Sequence, residues 1–335
     1  MLVSPHSPNG THCYMNEHQP NQKQVSTFSG KAKDYFQLTK FTLSFTVVFS
    51  CVICYLLAPN IIHFNWPMIG ILFLAGMLIT GSANAINQAV EKDTDAVMKR
   101  TAARPVAAGR ISQQEAYVFA AVAGCIGVWM IGYFFHDADS SFNWSAALLS
   151  AFSLFLYAFI YTPLKKVNSI AVLVGAFPGA LPCLIGWVAA TNTISPFATV
   201  VAGENSFSNS GGWILFAIQF LWQFPHFWAI AWVAHTDYSK AGFKLLPADK
   251  GPTRFTALQA VMYSVLMIPV GLLPHYFGLT GEVSMWILVG ANLFMVWQSW
   301  RLYREMDVPA ARRVMFSSYI YLPVVLLSLL ADKIH

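Results

Sequence analysis

Nine apolar runs dominate the sequence, and each is long enough to cross a bilayer as a helix, which takes about 20 residues. They lie near residues 41–58, 67–89, 116–135, 143–162, 169–190, 212–234, 255–274, 284–303 and 314–331. Only 10% of the residues are charged, against about 25% in soluble domains. Because backbone polar groups in hydrocarbon must be hydrogen-bonded within their own segment, these runs predict an all-α polytopic membrane protein.

The basic residues alternate between the loops. All but one of the 20 Lys and Arg residues lie before the first run or around the loops after the second, fourth, sixth and eighth runs, and Lys333 is the exception. This bias follows the positive-inside rule and predicts nine transmembrane helices with a cytoplasmic N-terminus. The net charge of +5 fits membrane lipid or anionic substrates as partners and gives no reason to expect nucleic acid.

Two regions differ in composition. Residues 1–38 are polar and predict a disordered cytoplasmic tail, whereas residues 39–335 predict a single transmembrane domain. The tail has neither the apolar stretch of a signal peptide nor the Arg-rich amphipathic pattern of a transit peptide. This favours the plasma membrane of a bacterium over a mitochondrial membrane.

Acidic residues gather where the second run ends. Asn87, Glu91 and Asp95 are spaced at i, i+4 and i+8, which places them on one face of a helix. Carboxylates near the membrane are costly and indicate function. Such oxygen ligands suit Mg²⁺, which bridges carboxylates to phosphates, and Arg100 and Arg104 are able to bind phosphate oxygens. The pattern predicts a diphosphate site; the alternative is a solvated loop whose acids balance its bases.

Further polar groups are predicted on the same face of the membrane. The residues expected to converge there are Lys165 and Lys166 after the fourth run and Asp237, Tyr238 and Lys240 after the sixth. His226 lies inside the sixth run among aromatic residues, which favours a ligand contact, although a histidine between helices is often only a satisfied polar group. Pro178 and Pro182 interrupt the fifth run. This segment is predicted either to bend around a cavity or to pack through its small residues.

Several blocks are shared with a known family. The segments RTAARPVAAGRIS, YTPLKK, GALPCLIGW, QFPHFWAIAW and DYSKAGFKLLP resemble intramembrane prenyltransferases of the UbiA type and, within them, the protohaem IX farnesyltransferases. The resemblance runs from about residue 40 to 330. It implies nine helices around a central cavity that opens to lipid. Together with the polar tail and the positive-inside pattern, the expectation is a bacterial inner membrane with an active site that faces the cytoplasm.

The resemblance also implies an activity. Farnesyl diphosphate and haem B would be the substrates, Mg²⁺ the cofactor, and haem O, formed with addition of water for terminal-oxidase assembly, the product. Haem A synthase and oxidase-assembly proteins are candidate partners. The implied catalytic residues and metal ligands are Asn87, Glu91, Asp95 and Asp237. The implied substrate-binding residues are Lys99, Arg100, Arg104, Lys165, Lys166, His226, Tyr238 and Lys240.

Three features depart from the family pattern, and one of them is the segment FKLLP at 243–247, where Pro-Met-Leu-Pro is more common. Glu91 stands where Asp is more common, and Ala241 stands where a second acid would follow Asp237.

An apolar cavity would shield an allylic cation from water, and its candidate lining residues are Phe155, Trp222, Phe224 and Trp228. Two alternatives stay open: prenylation of an aromatic quinone precursor or a chlorin by a related enzyme, and a transporter that uses the charged mouth as an ion gate.

Overall fold

The computed structural model describes residues 28–247 and 251–334. Within these ranges, nine helical segments of 17 to 25 residues occupy the positions of the nine apolar runs. Eight of them are the α-helices α2 (Phe41–Leu57), α3 (Trp66–Val90), α5 (Gln113–Phe134), α8 (Ala171–Thr191), α9 (Gly211–Val233), α11 (Arg254–Tyr276), α12 (Glu282–Glu305) and α13 (Val308–Ala331). The short helices are α1 (Phe28–Leu38), α4 (Lys92–Val97) and α10 (His235–Lys240).

The segment of the fourth apolar run is irregular. Helix α6 (Trp144–Phe155) continues into a π-helical turn (Leu156–Tyr161) and a final short piece, α7 (Thr162–Leu164). The sequence indicates a plain helix here, because hydropathy does not report the hydrogen-bonding pattern of the backbone. Such π-helical turns are rare and occur frequently at functional sites.

Helix α1 lies within the range that the sequence assigns to a disordered tail. The rest of that range, residues 1–27, lies outside the described residues. Lys40 separates α1 from α2, adopts a left-handed backbone with φ of 48°, and marks a bend of 49° between the two helices. The prediction of a tail failed to detect α1 because α1 is amphipathic rather than uniformly apolar: Leu38 is buried while Phe36 is exposed.

A small hairpin connects α8 to α9. Strands β1 (Thr199–Ala202) and β2 (Asn205–Ser208) pair antiparallel, with Ala202 opposite Asn205. The two-residue turn between them begins at Gly203, whose φ is 61°, and glycine favours such turns because it lacks Cβ. These four-residue strands are the one exception to the all-α prediction within the described residues.

The long helices pack into a closed circle. Helix α8 contacts α2, α6 and α9. Helix α9 also contacts α11 and α13, and α13 contacts α2, which closes the circle. Helix α8 is buried along most of its length and runs through Pro178 and Pro182 without a break. Pro182 cannot donate to the carbonyl of Pro178, and Ser153 Oγ donates to that carbonyl instead, at 3.4 Å. Neighbouring side chains therefore stabilise the backbone of this central helix.

The composition of these helices fits a protein that crosses the membrane several times. Seven of the described helices are long and apolar enough to span a bilayer, or eight if α1 and α2 form one broken span. The helix α12 is not among them because Asn292, Gln298 and several tryptophans lower its hydropathy. The multi-pass helical prediction is confirmed, while the crossing number of nine and the side of the N-terminus stay predictions.

Candidate active site

Three loops meet at one end of the bundle, as the alternation of basic residues predicts. Lys165, after α7, bonds Glu91 at the end of α3. The backbone N–H of Lys244, after α10, donates to the carbonyl of Lys165 at 2.8 Å. Arg100, after α4, donates to the hydroxyl of Tyr238 in α10 at 3.2 Å. The loops after the second, fourth and sixth apolar runs therefore form one polar mouth.

The acidic pattern lies on one continuous helical face. The N–H of Glu91 donates to the carbonyl of Asn87 at 2.9 Å, and the N–H of Asp95 donates to that of Glu91 at 2.7 Å. Helical hydrogen bonding thus passes across the junction between α3 and α4. Asn87, Glu91 and Asp95 are all buried, with 1%, 4% and 0% of their surface exposed, whereas Asp93 is exposed. The three residues do not belong to a solvated loop.

Each residue of this face is held by a basic side chain. Lys40 Nζ donates to Asn87 Oδ1 at 2.9 Å. Lys165 Nζ lies 2.9 Å from Glu91 Oε1, and Arg104 NH1 lies 2.7 Å from both carboxylate oxygens of Asp95. Although burial acts to lower the pKa of Lys165, the Glu91 carboxylate raises it above its ordinary value. Lys165 and Arg104 neutralise the two carboxylates, while burial and the neighbouring Arg104 and Lys165 lower the pKa of Lys40 well below its ordinary value. We call these six residues the charged cluster.

The other predicted residues are less involved. Lys99, Lys166 and Lys240 are exposed, and within the described ranges their side chains make no hydrogen bond or ion pair. Asp237 is half-buried at the start of α10 and makes no ion pair with any described residue. Tyr238, together with Phe243 and Lys244, lines a cavity of about 210 Å³ that is separate from the apolar cavity described below. Arg100 and Tyr238 therefore belong to the mouth, and the three lysines lie at its surface.

An apolar cavity of about 260 Å³ opens beside the charged cluster. Two residues of the cavity wall lie next to the charged cluster. Asn84 is one helical turn from Asn87, and the ring centroid of Tyr161 lies 4.6 Å from Lys165 Nζ. Gly175, Pro178 and Pro182 of α8 line the cavity. The cavity hypothesis for this segment therefore agrees with the structure, although α8 also packs closely: a Cβ at Gly186 would clash with the Cys51 carbonyl of α2.

The aromatic residues around this cavity differ from those expected. Of the four predicted, Trp222 lines the cavity. Phe155 is 50% exposed, and Phe224 and Trp228 pack against Tyr263 of α11. The helical phase explains this, since Phe224 and Trp228 are one turn apart and face away from Trp222. The side chains that replace them in the lining are Tyr157, Tyr161, Phe227 and Tyr319.

His226 lines the cavity as predicted for a ligand contact. Its ring stacks on Trp222 with centroids 4.8 Å apart, and its Nδ1 lies 2.8 Å from Ser318 Oγ in α13. A histidine that is only a satisfied polar group between helices would be enclosed by protein on all sides. The position of His226 in the cavity wall favours the ligand contact.

Sequence reasoning missed two groups of residues. Lys40 and Thr162 both contact Asn87, at 2.9 and 3.5 Å, and Ser318 contacts His226. Lys40 precedes the first apolar run directly, and this position signals a lysine at the membrane surface. Ser318 gives no such signal, because its partner is 92 residues away.

The residues of the mouth fit Mg²⁺ only when an anionic ligand accompanies the ion. Within residues 28–247 and 251–334, no three His, Cys, Asp or Glu side chains lie close enough to hold a metal by themselves. Glu91, Asp95 and Asp237 therefore do not form a ready cluster. Mg²⁺ usually takes one or two carboxylates and completes its shell with water and substrate phosphates, and the exposed guanidinium of Arg100 at the mouth suits such an anion.

Comparison with known proteins agrees with this description. The model of the UbiA prenyltransferase family matches residues 47–321. The chain is 43% identical to a protoheme IX farnesyltransferase of Cytophaga hutchinsonii, over 90% of this chain and 98% of that protein.

Two solved structures share the fold. A digeranylgeranylglyceryl phosphate synthase superposes with a TM-score of 0.70 at 18% identity, covering 90% of this chain and 98% of that one. A UbiA homologue of Archaeoglobus fulgidus bound to GPP and Mg²⁺ superposes with a TM-score of 0.60 at 13% identity, covering 88% and 99%. With an apolar cavity, a charged mouth and a family model that matches most of its length, this chain belongs to the UbiA prenyltransferase family and is a multi-pass membrane enzyme.

Proposed function

We propose that the enzyme transfers the farnesyl group of farnesyl diphosphate to a vinyl group of haem B, with addition of water, and so makes haem O for terminal oxidases. The observation that carries the proposal is the buried charged cluster at the mouth of an apolar cavity whose wall includes His226. The cluster suits a diphosphate, and the cavity suits an isoprenoid chain. The name of the Cytophaga relative supports haem as the acceptor.

The charged cluster is assigned the diphosphate. Lys165 and Arg104 supply positive charge in a site from which water is largely excluded, with Lys40 Nζ as a further hydrogen-bond donor. Such preorganised groups stabilise negative charge that develops on a leaving group. Arg100, exposed at the mouth and bonded to Tyr238, is assigned a phosphate oxygen through its guanidinium. When Mg²⁺ is bound, it neutralises part of the diphosphate charge, and Asn87, Glu91 and Asp95 would hold it.

The cavity wall is assigned the protection of the allylic cation. Tyr157, Tyr161 and Trp222 line the cavity, and aromatic rings stabilise cations that lie over their faces. Exclusion of water delays capture of the cation until the haem vinyl carbon has attacked it. Water then adds to the second cation, on the haem side, and loses a proton to the surrounding water, which leaves a hydroxyl group there.

The same proposal includes the location. The basic loops at the charged mouth support, by the positive-inside rule, a cytoplasmic location for this end of the bundle, in the inner membrane of a bacterium. Asp237 is included as a ligand to the metal–diphosphate complex, and Lys99, Lys166 and Lys240 as surface residues that attract the anion. Haem A synthase or oxidase-assembly proteins would receive the product.

The purified protein, incubated with haem B, farnesyl diphosphate and Mg²⁺, tests the proposal. The haem is extracted, separated by chromatography and analysed by mass. We expect a haem that has gained a farnesyl group and one water, and no such product when a chelator is present. Boiled protein is the control for non-enzymatic modification.

Two other outcomes would contradict the haem assignment. Release of diphosphate with unchanged haem would indicate another acceptor, for which quinone precursors and chlorins are the first to try. No diphosphate release from a folded preparation that binds farnesyl diphosphate would exclude prenyl transfer under these conditions.

A further inference from the structure

One serine of α13 holds two cavity-lining residues of α9, Trp222 and His226. The side-chain oxygen of Ser318 lies 2.8 Å from His226 Nδ1, and its backbone carbonyl accepts a hydrogen bond from Trp222 Nε1 at 3.0 Å. The Trp222 ring in turn stacks on the imidazole at an interplanar angle of 19°. Ser318 and Trp222 together fix the position and the plane of the His226 ring.

The direction of the hydrogen bond to His226 follows from the single hydroxyl proton of Ser318. A serine hydroxyl has one proton to donate and accepts through its lone pairs. Ser318 Oγ donates its proton to the carbonyl of Met315 at 2.6 Å, so toward His226 it acts as an acceptor. The proton of the neutral imidazole therefore lies on Nδ1, and Nε2 keeps its lone pair.

This lone pair is available inside the cavity. His226 is one of the residues of the cavity wall. In the described part of the chain Nε2 makes no hydrogen bond, and it is not among the described polar atoms that are both fully enclosed and without a partner. Nε2 is thus an unused basic atom, open to whatever occupies the cavity.

We propose that Ser318 is a positioning residue that holds His226 as the Nδ1–H tautomer, so that Nε2 ligates the iron of the haem acceptor. The proposal rests on the proposed function, because it takes haem as the occupant of the cavity. Imidazole is a common axial ligand of haem iron. Histidines that ligate metals generally donate their other N–H to an acceptor, which fixes the tautomer and increases the basicity of the ligating nitrogen.

The test is a titration of the full-length protein in detergent with ferric haem B, without a prenyl donor, followed by absorption spectroscopy. We expect the wild type to give the spectrum of a haem with an imidazole ligand. His226→Gly should lose that spectrum. Ser318→Ala should keep the ligand type but bind haem 10- to 100-fold more weakly, the usual effect of losing such a partner.

Two further variants separate this role from packing. Ser318→Thr keeps the hydroxyl and should restore haem binding to within a few-fold of the wild type. Ser317→Ala is the matched control, since Ser317 is the buried neighbour of Ser318 on the same helix and makes no side-chain hydrogen bond among the described residues. It should bind haem like the wild type.

A chemical rescue tests the hydrogen bond even if a Ser318 variant does not fold. In His226→Gly, added imidazole should restore the ligated spectrum at lower concentration than 1-methylimidazole, which has no N–H to donate to Ser318 Oγ. Equal rescue by the two compounds, or unchanged haem affinity in a folded Ser318→Ala variant, overturns the role of Ser318. An unchanged spectrum in His226→Gly overturns the iron ligand.

These outcomes are distinct from a failure of the proposed function. A wild-type protein that binds no haem in this titration contradicts the assignment of haem as the acceptor. If the wild type binds and farnesylates haem and the variants behave like the wild type, only the roles of Ser318 and His226 are contradicted.

Discussion

Lys165 Nζ lies 2.9 Å from Glu91 Oε1, and the two residues are 74 positions apart in the chain. Both are almost fully buried, and the pair connects the loop after α7 to the end of α3. Glu91 is the middle residue of the acidic face. Because it pairs with Lys165, its position depends on a residue from a different part of the bundle. The stability of the mouth and its chemistry are therefore linked.

Loss of Lys165 should destabilise the folded protein. Lys165→Met leaves the Glu91 carboxylate buried without its partner, and breaking a buried ion pair in this way costs about 3 to 5 kcal/mol. The free energy of unfolding in mixed detergent micelles measures this. Lys166→Met is the matched control, because Lys166 is the exposed neighbour and should change stability by less than about 0.5 kcal/mol. Equal effects of the two variants would show that the ion pair contributes nothing.

Turnover should depend on the residues of the buried acidic face and not on an exposed acidic residue beside it. Asn87→Ala removes an oxygen ligand from the buried face and Asp95→Asn removes a negative charge from it, so we expect loss of haem farnesylation while the protein stays folded in the membrane. Asp93→Asn, between them in sequence but exposed, should keep most of the activity. The product assay on membranes with matched protein levels decides this. Full activity in Asn87→Ala or Asp95→Asn would remove the metal-site assignment.

Chelation should stop turnover without unfolding the protein. Glu91 and Asp95 already have Lys165 and Arg104 as counter-charges, so their burial does not depend on a divalent cation. We expect EDTA to abolish product formation, Mg²⁺ to restore it, and the melting temperature without substrate to stay within about 2 °C, which for a chain of this size corresponds to less than about 1.5 kcal/mol. A large loss of stability on chelation would indicate a structural metal instead.

Lys333 should be important for stability rather than for activity. Its ammonium group donates to the carbonyls of Leu56, Ala58 and Ile61, at 2.9, 2.8 and 2.7 Å, where α2 ends. Lys333→Met removes these three bonds, of whose acceptors the Ala58 carbonyl keeps the N–H of Ile61 at 3.0 Å, and the loss should cost about 1 to 3 kcal/mol. Thermal unfolding in detergent measures the effect, and Ile334→Ala, at the exposed neighbouring residue, is the control. Loss of catalysis at low temperature in a folded Lys333→Met protein would contradict a purely structural role.

The sequence predicts the helices well because hydropathy reports burial in lipid directly. The largest difference lies at α13, which begins at Val308 rather than near residue 314. Asp307 caps this helix by accepting a hydrogen bond from the N–H of Ala310 at 2.8 Å, so the turn with Arg312 and Arg313 is helical although it is polar. Capping residues reveal such a start, whereas a hydropathy window does not.

The candidate site could be predicted only in part. The spacing of Asn87, Glu91 and Asp95 is local, and a helix translates it into a shared face whatever surrounds it. The partner of each residue is a tertiary matter: Lys40 reaches Asn87, and Lys165 reaches Glu91, through the packing of separate helices. Spacing identifies the acids but not the cations that neutralise them.

The π-helical turn at Leu156–Tyr161 affects the orientation of everything that follows it in that segment. Each residue of an α-helix advances the chain by about 100° around the axis, and a π-turn takes up about one residue more than an α-turn. Shortening this turn by one residue would therefore rotate α7 and the following lysines by about a quarter of a turn. Lys166, now exposed, would move toward the place from which Lys165 contacts Glu91. The choice of which lysine enters the mouth is thus encoded in the backbone register of a segment that has no charged residue of its own.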